Sequence, residues 1–359
     1  MIGVGVIGYG YWGPNLVRNF FETPGCRVVS VCDMHPNRLA KVRSRYPTID
    51  TTADYRDLLQ DNRIDAIAIA TPVSSHFELA MQALKTGKHV LIEKPMTADV
   101  EQAQRLVDEA ERRRRILAVD HTFVYTSAVR KIRDIVASGD LGDIYYYDSV
   151  RVNLGLFQHD VNVMWDLAVH DLSIMDAVLP FQPVSVCANG MSHVPGEPEN
   201  IAYVTFQFDA PLMAHVHVNW LAPVKLRQTL IGGSRKMIVY DDLEPSEKIR
   251  VYDKGITVSN QNGEANGNGN GASGHRHAML VGYRTGDVLI PQLDLTEALS
   301  VQTRHFVDCV ERSLTPQVDG HAGLRVVRML TAATESMRSS GRPVELAFNR
   351  VAVLFLSLI

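Results

Sequence analysis

The stretch Val4-Gly-Val-Ile7-Gly8-Tyr-Gly10-Tyr-Trp-Gly13-Pro-Asn15 decides the fold. An apolar run enters three glycines spaced G-x-G-x-x-G and leaves through a helical pattern that starts near Asn15. The first glycine permits a tight turn and the second lets backbone approach a pyrophosphate. The third lets helix and strand pack closely, and the helix N-terminus faces the anion. Alone the spacing is a weak signal; between a strand and a helix it is a strong one. Asp33 closes the next strand-like run, 23 residues after Gly10, where a carboxylate can accept from a ribose 2′-OH. The same carboxylate would repel a 2′-phosphate, which favours NAD over NADP. Arg38, five residues on, argues the other way.

Outward from this motif, the first 121 residues alternate short apolar runs with helical stretches, the signature of βαβ units on a parallel sheet. Strands are predicted at Gly3–Ile7, Arg27–Cys32, Ala66–Ala70, His89–Ile92 and Ile116–Val119. Helices are predicted at Leu39–Arg45, Phe77–Thr86 and Val100–Arg115. From about Gly142 the period changes to two. Ile144–Leu154, Ile201–Phe208, Met213–Trp220 and Arg235–Tyr240 read as strands joined in part by hairpins, with helices at Asp166–Leu179, Thr296–Ser313 and Ala322–Ser339. The fold class is therefore α/β. A Rossmann domain with a parallel sheet (1–121) precedes an α+β domain on a large, mostly antiparallel open sheet (122–359). Residues 259–277, rich in Asn-Gly, are too polar to offset ordering entropy and read as a mobile loop. The apolar tail 351–359 is too short to cross a bilayer as a helix and reads as a buried strand or interface segment.

A formal net charge of −4 offers no electrostatic reason for a nucleic-acid or anionic-membrane partner. Cys26, Cys32, Cys187 and Cys309 form no CxxC pair, so neither a disulfide framework nor a zinc knot is expected. With no basic segment ahead of the first strand, no secretory leader is predicted. A cytoplasmic location follows.

Two further motifs stand at predicted strand ends, Ala70-Thr71-Pro72 with His76 and Glu93-Lys94-Pro95, on the edge where open α/β sheets bind ligands. Together with the glycine motif, His121-Thr-Phe-Val-Tyr125, Trp165-Asp166-Leu-Ala-Val-His170-Asp171 and Tyr283-Arg-Thr-Gly-Asp287, they resemble the glucose–fructose oxidoreductase/inositol dehydrogenase (Gfo/Idh/MocA) family over essentially the whole chain. The nucleotide-sugar dehydrogenase branch is the most similar. The resemblance implies that Lys94, joined to Pro95 by a cis bond, reaches the reacting hydroxyl and the nicotinamide ribose. It also implies that Thr71, Pro72 and Glu93 line the cofactor cleft and that Asp166 and His170 face the substrate. Tyr11, Trp12 and His76 complete the candidate cofactor contacts, and Tyr125 or Phe157 could stack on a ring. Two positions depart from the family pattern. Val161-Asn162 and neighbours replace a glycine pair, and Ser173 stands where a second aspartate is usual.

Asp166 and His170 are four apart, so on a helix they share a face that Ile174 and Val178 continue as an apolar stripe. An imidazole titrating near neutrality suits proton removal from a secondary alcohol, and Lys94 could share that role or polarise the oxygen. The catalytic candidates are thus Lys94, His170 and Asp166. Metal binding at His215/His217 or His275/His277 is set aside, since each pair lacks further ligands at suitable spacing. The alternating residues Tyr145, Tyr147, Ser149, Arg151 and Asn153 read as an interface face, and the resemblance to a family that pairs through open sheet faces implies a homodimer or homotetramer. The expected activity is NAD-dependent hydride transfer at a ring carbon of a sugar-like substrate, foremost a nucleotide sugar. The alternatives are a free sugar or cyclitol dehydrogenase and, in another class, a catalytically silent NAD-binding regulator.

Overall fold

The computed structural model describes residues 1–155, 161–258 and 281–348. The predicted loop 259–277, Phe157, His275, His277 and the tail 351–359 lie outside the described residues.

The first half runs β1 (Ile2–Ile7), α1 (Gly13–Glu22), β2 (Cys26–Cys32), α2 (Pro36–Arg45), β3 (Asp50–Thr52), α3 (Tyr55–Gln60), β4 (Ala66–Ile69), α4 (His76–Lys85), β5 (His89–Glu93), α5 (Val100–Arg113) and β6 (Leu117–Asp120). The strands form one parallel sheet in the order β3-β2-β1-β4-β5-β6. Helices cover both faces, so β1 and β4 are buried almost throughout and read as continuous apolar runs. The strand order reverses between β1 and β4, which opens a crevice at their carboxyl ends.

The second half contains α6 (Ser127–Ala137), β7 (Ile144–Val152), a π-helical turn (Met164–Ala168), α7 (Val169–Val178), β8 (Pro183–Met191), β9 (Ile201–Phe208), β10 (Met213–Asn219), β11 (Leu226–Gly233), β12 (Met237–Asp241), β13 (Ile249–Tyr252), β14 (Gly255–Val258), β15 (Val281–Arg284), β16 (Val288–Leu289), α8 (Ala298–Arg312), α9 (Gly320–Arg338) and β17 (Val344–Glu345). Nine strands make the large sheet, ordered β16-β13-β12-β11-β7-β10-β9-β8-β17. Its pairs are antiparallel apart from β7–β10, which run parallel in the middle. The mostly antiparallel open sheet expected from the sequence is present. The last helices serve both halves. Phe306 of α8 meets Phe20 of α1 edge-on at 6.1 Å, while α9 contributes Val327 to the parallel-sheet core and Met329 and Leu330 to the other.

The reading of β7 needs correction. Tyr147, Ser149 and Arg151, taken as part of an outward interface face, are 0–3% exposed and point at α7. The Tyr147 hydroxyl donates to the Asp171 carbonyl at 3.1 Å, and Ser149 Oγ donates to Asp171 Oδ1 at 2.7 Å. Arg151 Nε donates to Asp171 Oδ2 at 2.7 Å. A buried ion pair lent a polar look to the inner face. Tyr145 remains exposed because the register slips beside Gly232 and Gly233, opposite the start of β7. Tyr146, Asp148 and Val150 alternate with the buried residues and form the outer face.

Removing one partner of a buried ion pair leaves an uncompensated charge. Asp171→Ala is therefore expected to destabilise the fold by about 3–5 kcal/mol in urea unfolding, and a loss below about 1 kcal/mol would show that Arg151 finds other compensation.

Candidate active site

The glycine turn is built as its spacing requires. Gly8 adopts φ +97°, and a Cβ there would lie 2.5 Å from the Ala70 carbonyl oxygen. A Cβ on Gly13 would sit 2.1 Å from the Gly8 carbonyl oxygen, so only glycine lets α1 approach β1 this closely. A Cβ on Gly10 would meet nothing nearer than Arg38 Nη1 at 3.8 Å, which leaves that backbone open to the crevice. Helix α1 has no side-chain cap and no acidic residue in its first turn. With no acid there to compete, the N-terminus of α1 can face an anion, and the open backbone at Gly10 fits a dinucleotide pyrophosphate.

Asp33 ends β2 beside this turn. Its Oδ2 accepts from the Tyr9 amide at 2.7 Å and its Oδ1 from the His35 amide at 2.8 Å. Arg38 Nη1 lies 3.3 Å from Oδ2. Burial opposes the charge, but the two amides and Arg38 outweigh it and hold the carboxyl below its ordinary pKa. Across the crevice, His76 is 1% exposed, with its ring nitrogens 2.9 Å from the Thr71 and Pro95 carbonyl oxygens. It ties the two strand-end turns together from behind rather than facing the cleft, which corrects its placement among the cofactor contacts. Tyr11 stands exposed at the crevice mouth.

The Lys94-Pro95 bond is cis, as the resemblance implies. Lys94 Nζ donates to the Asp166 main-chain oxygen at 3.1 Å and lies 3.7 Å from Asp166 Oδ1. Trp220 Nε1 donates to Asp166 Oδ2 at 3.1 Å. Beneath Lys94, Glu93 and Asp120 are direct neighbours across β5 and β6. Glu93 Oε2 is buried and finds no partner among the described residues. Burial first, then the Asp120 charge, raise its pKa well above the carboxylate range and favour the neutral acid. Burial also raises the Asp120 pKa, opposed by hydrogen bonds from Thr122 and Trp12. Trp12, entered as a cofactor contact, donates its indole N–H to Asp120 Oδ2 at 2.7 Å.

His170 stands one residue into α7, where Asp171 locks that helix to β7. Its Nδ1 is buried without a partner among the described residues, and its ring meets Phe123 edge-on at 4.9 Å. Burial, followed by the charges of Lys94 and Arg151, pushes its pKa well below the ordinary imidazole value. The imidazole is therefore neutral rather than poised near neutrality, as the sequence had suggested. His121 behaves alike: buried, with both nitrogens unpartnered, it is lowered to about 3.

Two local readings change. Tyr125 is not at the site; it is 3% exposed and packs 5.7 Å from His305 on α8. Within the tight turn Thr122–Tyr125, Phe123 and Tyr125 leave different faces, and Phe123 supplies the aromatic surface beside His170. Asp166 and His170 do not lie on one regular α-helix, because Asp166 belongs to the π turn and His170 to α7. Asn162, where a glycine pair is usual, organises that turn: its Oδ1 accepts from the Met164 and Trp165 amides at 3.1 and 3.4 Å. Ser173, in place of the second aspartate, donates to the His170 carbonyl at 2.7 Å. Among the described residues no group of three or more histidines, cysteines or acids could hold a metal. His217 stacks on Tyr203 at 4.4 Å, and His215 pairs with Asp148 at 3.3 Å.

Residues 2–121 match the sequence profile described as "Oxidoreductase family, NAD-binding Rossmann fold", and residues 129–239 match the GFO/IDH/MocA C-terminal domain. The chain belongs to the Gfo/Idh/MocA oxidoreductase family. It is an NAD-dependent oxidoreductase. Among its relatives is the scyllo-inositol 2-dehydrogenase (NAD(+)) of Bacillus subtilis, 23% identical across 98% of this chain and 96% of that one. Another is the UDP-N-acetylglucosamine 3-dehydrogenase of Acidithiobacillus ferrooxidans, 31% identical over 53% of this chain and 58% of that protein. In fold the chain is similar to an oxidoreductase from Agrobacterium radiobacter in complex with NAD+, L-tartaric acid and magnesium. That likeness has a TM-score of 0.78 at 17% identity and covers 96% of this chain and 98% of the other.

Sequence reasoning missed Asp120, His121, Phe123, Asp171 and Trp220 as site-forming residues. The first three stand in or beside the His121–Tyr125 motif, directly after a predicted strand end, and could have been found there. Trp220 carries no such signal.

With Asp33 beside the cofactor crevice, NAD is expected to bind at least about tenfold more tightly than NADP, roughly 1.4 kcal/mol. Asp33→Ser frees Arg38 and should erase most of that gap in fluorescence titrations. Equal binding of both cofactors to the wild-type protein would contradict this role.

Proposed function

We propose that the protein oxidises or reduces a CH–OH carbon in the ring of a sugar-like substrate, with a nucleotide sugar as the first class to test. The carrying observation is a neutral imidazole, His170, beside the Lys94–Asp166 ion pair at the edge of the nucleotide crevice. Bound NAD supplies the hydride acceptor or donor at its nicotinamide. In the oxidative direction His170 takes the hydroxyl proton, which a neutral ring can do and an imidazolium cannot. Lys94, an ammonium in its pair with Asp166, hydrogen-bonds the reacting oxygen and favours the developing alkoxide. Asp166 orients Lys94, and Trp220 holds Asp166. Thr71, Pro72 and Glu93 would line the nicotinamide side, Gly8, Gly10 and Gly13 would cradle the pyrophosphate, and Asp33 would bind the ribose. The neutral Glu93 keeps a second negative charge from competing for Lys94.

A cyclitol or free sugar is the second reading, favoured by the nearly full-length likeness to a scyllo-inositol dehydrogenase. The domain boundary at 121/122 is part of the proposal, as is a cytoplasmic homodimer or homotetramer. The outer sheet face supports self-association, since Tyr146, Tyr203 and Met213 are 36–48% exposed there. No helix among the described residues is long and apolar enough to cross a membrane.

Lys94→Ala and His170→Ala should each lower kcat by about 10²–10⁴-fold, and the double variant should resemble the worse single one, since both act on one oxygen. The acceptor works only when unprotonated, so oxidative kcat/KM should fall with decreasing pH through a pKa well below 6.5. That acid limb should vanish in His170→Ala. An unchanged profile and normal kcat in this variant would remove His170 from the reaction.

A further inference from the structure

Arg151 and Arg227 face each other directly across β7 and β11. Like charges in that position repel, and each guanidinium needs separate compensation. Arg151 is paired with Asp171, and Arg227 Nη1 donates to Asp242 Oδ2 at 3.2 Å. Both also stand over the Phe123 ring, 4.7 and 5.7 Å from its centroid. The compensation is incomplete. Arg151 Nη1 and Arg227 Nε are buried and find no acceptor among the described residues, although Arg151 is only 3% exposed. Buried N–H groups of a cation without acceptors are costly and uncommon.

Beside them opens a pocket of about 270 Å³ lined by Asn153, Leu154, Pro223, Lys225 and Arg227. Lys225 is exposed and makes no ion pair among the described residues. The local balance is uneven: Lys94, Arg151 and Arg227 are matched by Asp166, Asp171 and Asp242, and Lys225 is left over. The pocket adjoins the reaction site. Arg227 shares Phe123 with His170 and is among the charges that depress the imidazole's pKa. Asn153 and Gly155 donate from their amides to the carbonyls of Asn219 and Trp220, and the Trp220 indole holds Asp166.

We propose that this pocket is an oxyanion subsite: Lys225 and Arg227 bind a phosphate or carboxylate carried by the substrate while its ring carbon reacts at His170. The proposal rests on the oxidoreductase reading for the identity of the reacting end, but not for the anion itself. The guanidinium of Arg227, with Nη1 held by Asp242, and the ammonium of Lys225 together suit phosphate or carboxylate oxygens. A neutral cyclitol would leave the surplus charge of Lys225 unmet.

The test is calorimetric binding of UDP, glucose 1-phosphate, glucuronate and myo-inositol to the NAD-saturated protein, with turnover followed separately by NADH absorbance. At least one anion should bind more tightly than inositol, and raising the salt concentration should weaken it. Lys225→Gln should weaken that anion about tenfold or more, while Lys225→Arg should restore it. Because Lys225 is exposed, these variants are expected to fold, with melting temperature as the check. Arg227→Lys, which keeps the charge but loses the guanidinium held by Asp242, should also weaken the anion. Which probe binds separates a nucleotide diphosphate from a sugar phosphate or uronate. Anions that bind no better than inositol, or a Lys225→Gln protein with unchanged affinity, overturn the subsite even if cyclitols are oxidised. Lys225-dependent anion binding without turnover of any sugar would uphold the subsite and overturn the reading of the reaction.

Discussion

Asp171 holds the site together. Its carboxylate receives Ser149 and Arg151 from β7, and its carbonyl receives the Tyr147 hydroxyl. Four residues from two elements are thereby tied together in a region almost without water. Because the lock sits at the start of α7, it fixes the preceding residue, and that residue is His170. The Lys94 contact with the Asp166 carbonyl then fastens the π turn to the end of β5. Two polar ties separated by five residues thus set the imidazole against the nucleotide crevice. Apolar packing of α7 alone would leave its rotation and sliding less well specified, since hydrophobic contacts are non-directional.

The parallel half was legible because its chemistry is local. Gly8 and Gly13 satisfy steric demands within one turn, and the strands β1 and β4 are short apolar runs that periodicity detects. The Glu93-Lys94-Pro95 turn could be placed for the same reason, as it follows a strand directly. Helix α3 and strand β3 were not read, being only six and three residues long. Several strands of the large sheet, such as β8 and β11, were also missed, since polar residues or glycines interrupt their alternation.

The errors at the site share a cause: burial of polar groups by partners distant in sequence. Period-two reasoning assigns polar residues outward, so Ser149 and Arg151 looked solvent-facing until Asp171, about twenty positions on, accounted for them. Tyr125 looked like a stacking surface because nothing in its own segment announced α8. The π turn was invisible for a related reason. An extra residue in a helical turn leaves the hydrophobic pattern almost intact, and here amides at its N-terminal end are satisfied by Asn162. Asn162 and Ser173, the two departures from the family pattern, both make local backbone contacts. They alter how the segment around His170 is supported rather than removing it.

Charge burial in this molecule follows function more closely than stability. Replacing a buried ion pair with well-packed apolar side chains is often neutral or stabilising, so a fold selected for stability alone would place aliphatic residues at 151 and 227, opposite each other on a sheet face already rich in them. Instead two arginines face each other, each needing an aspartate and a share of one phenylalanine ring. Their field also lowers the basicity of His170, a further cost for a residue that must accept a proton. An arrangement that strains both the sheet and the base is explained if a negative group arrives with the substrate. Such a group would offset the surplus positive charge and weaken its field at the imidazole in the same binding event.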